Sequence, residues 1–503
     1  MPDDRLKAAK NPNPSPEIFD IRDFIRRLEK EGDLVRIEKE VEGGDEIASV
    51  MWELAERKGN EGPAIVFDKI KGYDIPVVKG LFGSLRRWAL ILGIPDWRTI
   101  HIRDLKNFLF QKVEDQKKWI APEIVANAPC QEVVSRDNPD FTKFPIFRWH
   151  PTDGGPYITL PGVVMKDPEW GQNLGMYRIM ITGAKTAPMV INSTQDSGIY
   201  CARARKRGIT RVDCAVAIGF DPLLYLAAVM KMPSVGRNME LLFSGGLTGR
   251  PVQLAKCKTV DIDVPASSEI VFEGYLDLDD VREEGPYGEY TGYFGEKMVQ
   301  PTFHLKCVTH RKNPYYVSCT SAHLASECLI LHYPQPFSWY KRIKTEVVGF
   351  RDAFLPLQGR NFIAIVQINK RYPGWGKQAI LSALGSGFAA AIINWLIVVD
   401  EDIDIYNWNE VLFALATRVD PELDILTFPP MAVNALNPSA RARVPVSPDF
   451  PFTNFAYCSK VGIDATKKFS NEPGRQRPTP PLSLPDREVL KKVKAQWRDY
   501  KID

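Results

Sequence analysis

Residues 21–32, IRDFIRRLEKEG, set Ile21, Phe24, Ile25 and Leu28 on one stripe. That i, i+3, i+4, i+7 spacing predicts an amphipathic helix, and Gly32 marks its end. LVRIEKEV follows as a strand, and residues 18–125 continue as mixed helix and strand. From about 126 to 320 the pattern changes to short β-branched runs between turn signals: LGMYRIMIT, AVAIGF, VQLAKCKTVDIDV, SEIVFEGYLDL, TFHLKCVTH and YYVSC. Such runs predict an antiparallel sheet or barrel. Helices are expected to interrupt it at GIYCARARKRG and PLLYLAAVM.

Residues 360–430 alternate again: NFIAIVQI as strand, GKQAILSALG as helix, NWLIVVDEDIDI as strand and NEVLFALATRV as helix. This is an α/β unit with its own core. It contains GSGFAA (385–390), but a helix precedes the glycines and a strand follows. A dinucleotide fingerprint needs the opposite order, so the glycines are expected to stop a helix. Residues 431–485 are proline-rich and expected to be irregular. The chain ends in DREVLKKVKAQW, where Val489, Val493 and Trp497 repeat every four residues. This predicts an amphipathic helix that docks either on another subunit or back on its own chain.

A length of 503 residues implies two or three domains. With 44% hydrophobic and 25% charged residues the chain is expected to be globular. A net charge of +3 implies no polyanionic partner, and the densest basic cluster, RARKRG (203–208), is read as a solvated helix face. No apolar run is long enough to span a membrane, and the polar arm 1–17 has no signal-peptide core. Eight cysteines without CxxC spacing suggest reduced, mostly buried thiols and a cytoplasmic protein. Six histidines make a multi-histidine metal site unexpected, and His304 and His310 sit in a strand pattern without a carboxylate partner.

Candidate chemistry concentrates in REEGPYGEYTG (282–292), where Glu284 and Glu289 flank Gly285, Pro286 and Gly288, with Arg282 alongside. Two carboxylates near a cation can divide acid–base work, one held ionised and one raised by burial. Gly288 would admit a ligand close to the backbone. Spacing alone equally allows two solvated turn carboxylates, and a glycosidase pair also uses two carboxylates. In GQNLGMYRIMITG (171–183), Asn173 and Arg178 interrupt an apolar strand, with Tyr177 and Ile179 facing away from Arg178. A barrel arginine must be paired or bind an anion, such as a substrate carboxylate. In VGRNMELLFSGGLTGRPVQL (235–254), Glu240 precedes glycines that suit a backbone close to a phosphate, or else a helix-end glutamate before a flexible turn.

Taken in order, NLGMYRI, ELLFSGGLTGRPVQLAKC, VPASSEIVFEG, EEGPYGEYTGY, DEDIDIYN with EVLFALATR, and SKVGIDATKK make the chain resemble the UbiD family of reversible decarboxylases over roughly residues 20–470. The resemblance implies an α+β fold. Its parts are an N-terminal α/β subdomain (18–125), a split β-barrel flavin-binding domain (126–320), a linker helix (321–350), a C-terminal α/β oligomerisation domain (351–460) and a tail with the terminal helix (461–503). The implied cofactor is prenylated FMN, supplied by a flavin prenyltransferase, which acts as electron sink while carbon dioxide leaves an aromatic or α,β-unsaturated acid.

By the same resemblance the catalytic trio falls on Arg178, Glu284 and Glu289. Glu289 is the proton donor and acceptor, and Arg178 orients the substrate carboxylate and pairs with Glu284. Asn173, Tyr177, Arg178, Ile179, Val190, Ile191, Asn192, Gln195, Asp196 and Glu240 are the implied cofactor-binding residues. A divalent metal, Mn2+ or Mg2+, is implied at Asn173 and Glu240, with Gln195 or Asp196 where many members place a histidine. K+ or Na+ is implied at the carbonyls of Val229, Met230 and Met232. Tyr290, Ile191, Asn192 and His332 are implied pocket residues, and Phe388 stands where some members carry a lysine. A homodimer or homohexamer is expected. Two rival readings are a non-catalytic subunit of a multi-subunit carboxylase, which the intact trio opposes, and a glycosidase.

Overall fold

The structure, a computed structural model, describes residues 18–503 apart from 193–194, 231, 233–235, 322, 324–326, 328–335, 386–391, 441–443, 448–449, 476, 501 and 503. The polar arm, Phe388 and His332 lie outside the described residues. The first helix is Ile21–Lys30, and its stripe of Ile21, Phe24, Ile25 and Leu28 is buried. Asp20 caps it by accepting from the Asp23 amide, and Gly32 turns the chain at φ 71°. The expected strand follows, shortened to Leu34–Ile37.

Leu34–Ile37 pairs in parallel with Ala64–Phe67, which pairs antiparallel with Val77–Lys79. The fourth strand of this sheet is Tyr316–Val317, parallel to Val77–Val78. YYVSC, expected in the barrel region, therefore closes the N-terminal sheet: its partners lie more than 200 residues upstream, where no local pattern can show them. One continuous core joins this sheet to the next.

The second sheet has the order Thr186–Pro188, Met298–His310, Ile270–Glu284, Arg211–Ile218, Gly162–Asp167, Gly171–Gly175, with Val133–Ser135 on the edge of Met298–His310. All pairs are antiparallel, and among the described residues its ends do not pair with each other. It is an open, split arrangement. Helices Asp196–Lys206 and Pro222–Val229 stand where the two helical runs are expected. Two expectations differ. LGMYRIMIT is not one strand: pairing stops at Gly175, where the chain folds over itself so closely that a Cβ would lie 2.3 Å from the Tyr177 hydroxyl. VQLAKCKTVDIDV is a hairpin of Gln253–Lys256 and Asp263–Pro265.

The C-terminal sheet runs Phe350–Phe354, Ile363–Ile368, Trp395–Asp400, Phe450–Asp464, Ile425–Val433, with Val444–Ser447 also on Phe450–Asp464. Residues 431–485, expected to be irregular, thus supply a fifteen-residue strand inside the sheet. Its proline-containing approach hides it from local reading, while Gly462 lies flush against Ile380 of helix Trp375–Leu384, where a Cβ would sit 2.1 Å from Cγ2. The tail helix is Arg487–Ala495, capped by Asp486. No helix among the described residues is long and apolar enough to cross a membrane.

Candidate active site

Two carboxylates of one distant segment converge on Arg178. Its Nε donates to Glu284 Oε1 at 2.8 Å and its Nη2 to Glu284 Oε2 at 3.0 Å. Its Nη1 is ion-paired with Glu289 Oε1. The side chains are 11%, 0% and 7% exposed for Arg178, Glu284 and Glu289, so solvent does not screen the trio. Burial pulls the Arg178 guanidinium down, and the Glu284 carboxylate more than offsets it, leaving a net rise. The i, i+5 spacing works because Glu284 ends the long strand Ile270–Glu284 and Glu289 follows the two-residue strand Tyr287–Gly288, which pairs with Phe294–Gly295.

Sequence reasoning missed the residues that hold this trio. Tyr157, fully buried, donates to Glu284 Oε1 at 2.9 Å, with Pro286 O as a second acceptor at 3.3 Å. Burial, then Glu284, raises the Tyr157 phenol, which therefore stays a donor. Its ring packs on Tyr287 at 4.6 Å, and the Arg178 guanidinium lies 4.8 Å over Tyr287. Asp153 Oδ1 accepts from Gly288 N, and Oδ2 from the amides of Trp149 and His150, each at 3.0 Å. A usable signal was present in the sequence: WHPTDGGPY repeats the glycine-and-acid texture of REEGPYGEY. The two loops press together, since a Cβ on Gly154 would meet Gly285 O at 2.2 Å. Gly288 is glycine for a similar reason: the His150 ring, not a ligand, occupies the space 2.5 Å from its missing Cβ. Arg282 turns away, pairing with Asp280 and donating to Thr186 Oγ1.

Asn173 and Glu240 meet on the other side of the broken strand. Asn173 Nδ2 donates to Glu240 Oε1 at 3.3 Å, and Leu174 N approaches Oε2 at 3.4 Å. Both side chains are buried, and Asn173 Oδ1 has no hydrogen-bond partner among the described residues. Glu240 lies in the first turn of helix Met239–Thr248, where the dipole favours an anion. SGGLTG, expected as a backbone for a phosphate or as a flexible turn, is the body of this helix. Gly245 and Gly246 admit the segment 118–120, with a Cβ at Gly245 falling 2.5 Å from Ile120 O.

Tyr177 accepts from Ser197 N at 3.4 Å, which ties the broken strand to the N-terminus of helix Asp196–Lys206. Burial raises the phenols of Tyr177 and Tyr200, and the charges of Asp196 and Glu240 add to each rise. Gln195 precedes this helix as its cap residue. Ile179 and Ile191 are buried, and Val190 and Asn192 are half-buried. Val190 N donates to Arg178 O at 3.1 Å, and Ile191 N to Gln300 Oε1 at 2.9 Å. Val229 ends its helix, Met230 and Met232 are buried beyond it, and Tyr290 is buried beside Glu289.

Remaining candidates resolve into structural roles. Arg203 and Arg207 of the basic cluster pair with Asp167, and Arg205 with Asp279. His304, expected without a carboxylate, has Asp280 Oδ2 at 2.8 Å, because Asp280 lies on the neighbouring strand Ile270–Glu284. No group of three metal-ligating His, Cys, Asp or Glu residues occurs among the described residues. Seven cysteines are described, and five of them are buried.

Three sequence profiles of one family match: the 3-octaprenyl-4-hydroxybenzoate carboxy-lyase N-terminal domain at residues 25–102, the Rift-related domain at 123–323 and the C-terminal domain at 328–465. A protein of Archaeoglobus fulgidus described as uncharacterized is 34% identical over 497 residues, covering 96% of this chain and 98% of its own. The fold is similar to that of vanillic acid decarboxylase from Sedimentibacter hydroxybenzoicus in closed form, with a TM-score of 0.82 and 29% identity over 95% of this chain and 99% of the other. It is also similar to the UbiD-class enzyme HmfF from Pelotomaculum thermopropionicum in complex with FMN, with a TM-score of 0.78 and 29% identity over 94% and 99% of the two chains.

Removing one member of a buried ion cluster leaves charge uncompensated. Arg178→Ala is expected to destabilise the fold by about 3–5 kcal/mol, and Arg178→Lys by less, because lysine keeps the charge without the fork. Denaturant unfolding of the three proteins measures this. Equal midpoints would show that the trio is not held by its arginine.

Proposed function

Because the chain belongs to the UbiD family of carboxy-lyases, we propose that it catalyses reversible, non-oxidative decarboxylation of an aromatic or α,β-unsaturated carboxylic acid with prenylated FMN. The observation that carries this reading is the buried Arg178 held between Glu284 and Glu289. Prenylated FMN, when bound, supplies the electron sink for the pair left behind as carbon dioxide departs. Arg178 has Nε and Nη2 committed to Glu284, and Nη1 on the Glu289 side. The second N–H of Nη1 and of Nη2 then orient a substrate carboxylate as a two-pronged donor. Glu289 holds the proton on its carboxyl oxygen and passes it to the carbon that loses carbon dioxide; carboxylation runs the same transfer backwards. Burial of the trio keeps water from competing for that proton. A non-catalytic subunit would not need to retain all three joined.

The chain's donor set fits the cofactor and its ions. The buried Asn173 Oδ1, without a partner among the described residues, beside the Glu240 carboxylate is the environment a hard divalent cation such as Mn2+ or Mg2+ takes. Gln195 or Asp196 would complete that set, and the cation would neutralise the cofactor phosphate. The carbonyls at a helix C-terminus suit K+ or Na+, and the end of the helix at Val229 supports assigning Val229, Met230 and Met232 to the monovalent site. Tyr177, Ile179, Val190, Ile191 and Asn192 would line the flavin, and Tyr290, Ile191 and Asn192 the substrate. The tail carries apolar side chains that its own chain leaves open: Leu484 is 60% exposed, Val489 58% and Trp497 48%. Burying them against another copy would remove that surface from water, so we assign the tail to homo-oligomer assembly, alongside the C-terminal domain.

Three outcomes check these assignments. Glu289→Gln keeps the shape and removes the titrating proton, so turnover should fall by roughly 10²–10⁴-fold with flavin still bound. Deuterium incorporation from heavy water reads this, and a parental rate would remove Glu289 from the role. Asn173→Ala and Glu240→Ala should lower flavin and metal content together, since a buried phosphate without its cation is costly. Absorbance and metal mass spectrometry measure both, and full occupancy would contradict the site. Deleting residues 486–503 should reduce the oligomer's mass by light scattering, and an unchanged mass on dilution would place the helix on its own subunit.

A further inference from the structure

The hairpin that carries Glu289 is short. Its ladder consists of Tyr287 opposite Gly295 and Gly288 opposite Phe294. Its tip is closed by Glu289 N donating to Tyr293 O at 2.9 Å and Gly292 N donating to Glu289 O at 3.0 Å. Two ladder pairs cannot hold a tip by themselves. From one side the hairpin is held by the His150 ring against Gly288 and by Ser321 Oγ, which donates to Gly288 O. From the other side comes a residue of the C-terminal sheet. Arg360 Nη1 donates to the main-chain carbonyl of Tyr290, the residue after Glu289, at 2.5 Å.

The backbone around Arg360 is shaped for this reach. Arg360 follows the turn Leu357–Gly359 and precedes the strand Ile363–Ile368. Arg360 has φ 49° and Asn361 φ 65°, two successive non-glycine residues in the left-handed region. Such strain persists only where its surroundings fix it, and it collects where geometry serves a function. The sheet that carries Arg360 is tied independently to the N-terminal half. Lys106 of helix Ile102–Glu114 pairs with Asp352 and donates to Ala353 O at 2.8 Å and to Tyr406 at 2.7 Å. Arg103 pairs with Asp404 at 3.0 Å.

We propose that Arg360 is a positioning residue for proton transfer: through the Tyr290 carbonyl it sets where Glu289 stands relative to Arg178, so the acid is in place only when the C-terminal sheet is seated against the hairpin. This rests on the reading of Glu289 as the proton carrier. Arg360 touches no reacting atom. It acts on the backbone of the residue after the acid, and the same contact makes the C-terminal sheet part of the acid's support.

Amide hydrogen exchange on the holoenzyme, read on peptides spanning 287–295, tests this for Arg360→Ala and Arg360→Lys. Loss of a charge-assisted hydrogen bond should speed exchange at Glu289 and Gly292 by about tenfold or more in Arg360→Ala. Arg360→Lys should restore part of the protection. The same alanine variant should lose about tenfold in kcat with KM and flavin content unchanged, and should add nothing in a Glu289→Gln background. Unchanged exchange in 287–295, or an equal rise across the whole C-terminal sheet, overturns the proposal. Faster exchange at the tip together with a fully active Glu289→Gln protein would instead leave the contact standing and remove the proton-carrying role on which it rests.

Discussion

A guanidinium and two carboxylates share a space largely removed from water, and much of the surrounding structure serves that arrangement. Taking charges out of water costs several kcal/mol per ion unless geometry and extra hydrogen bonds compensate. Arg178 meets Glu284 with two parallel bonds and turns its remaining nitrogen to Glu289. Tyr157 adds a donor to Glu284, and Asp153 gathers three backbone amides that hold the neighbouring loop and Gly288. The glycines at 154 and 288 are there because the supporting side chains and loops fill the space a Cβ would take.

The interrupted strand joins this cluster to the second polar centre. Asn173 is still in the ladder, opposite Met165. Two residues later the pairing ends at Gly175, and the chain folds so that Tyr177 turns towards Ser197 and Arg178 towards the glutamates. A continuous strand would have fixed Asn173 and Arg178 by simple alternation. The break lets one segment meet Glu240 through Asn173 and Glu284 and Glu289 through Arg178. The C-terminal sheet closes the arrangement from outside, through Lys106 with Asp352 at one end and Arg360 with the Tyr290 carbonyl at the other.

Local pattern made the first helix legible as far as the glycine that closes it, because four apolar residues at helical spacing form one stripe to bury. The alternating runs announced an antiparallel sheet, and the α/β rhythm after residue 360 announced a second core. The chain's motifs also placed Arg178, Glu284 and Glu289 in one candidate site. Less legible were elements whose meaning depends on distant partners. Tyr316–Val317 belongs to the N-terminal sheet, Phe450–Asp464 is an interior strand behind a proline-rich stretch, and SGGLTG is a helix whose glycines meet 118–120.

What the sequence determined by itself was therefore the kind of fold and a short set of candidate groups, since periodicity and residue chemistry are properties of short stretches. The tertiary structure decided which groups support them. Tyr157, Asp153 and Arg360 stand 127, 135 and 70 residues from their partners Glu284, Gly288 and Tyr290. A hydrogen bond depends on a distance of about 3 Å and a direction, and neither is encoded in the spacing of residues along a chain. Only the packed sheets bring those atoms within range.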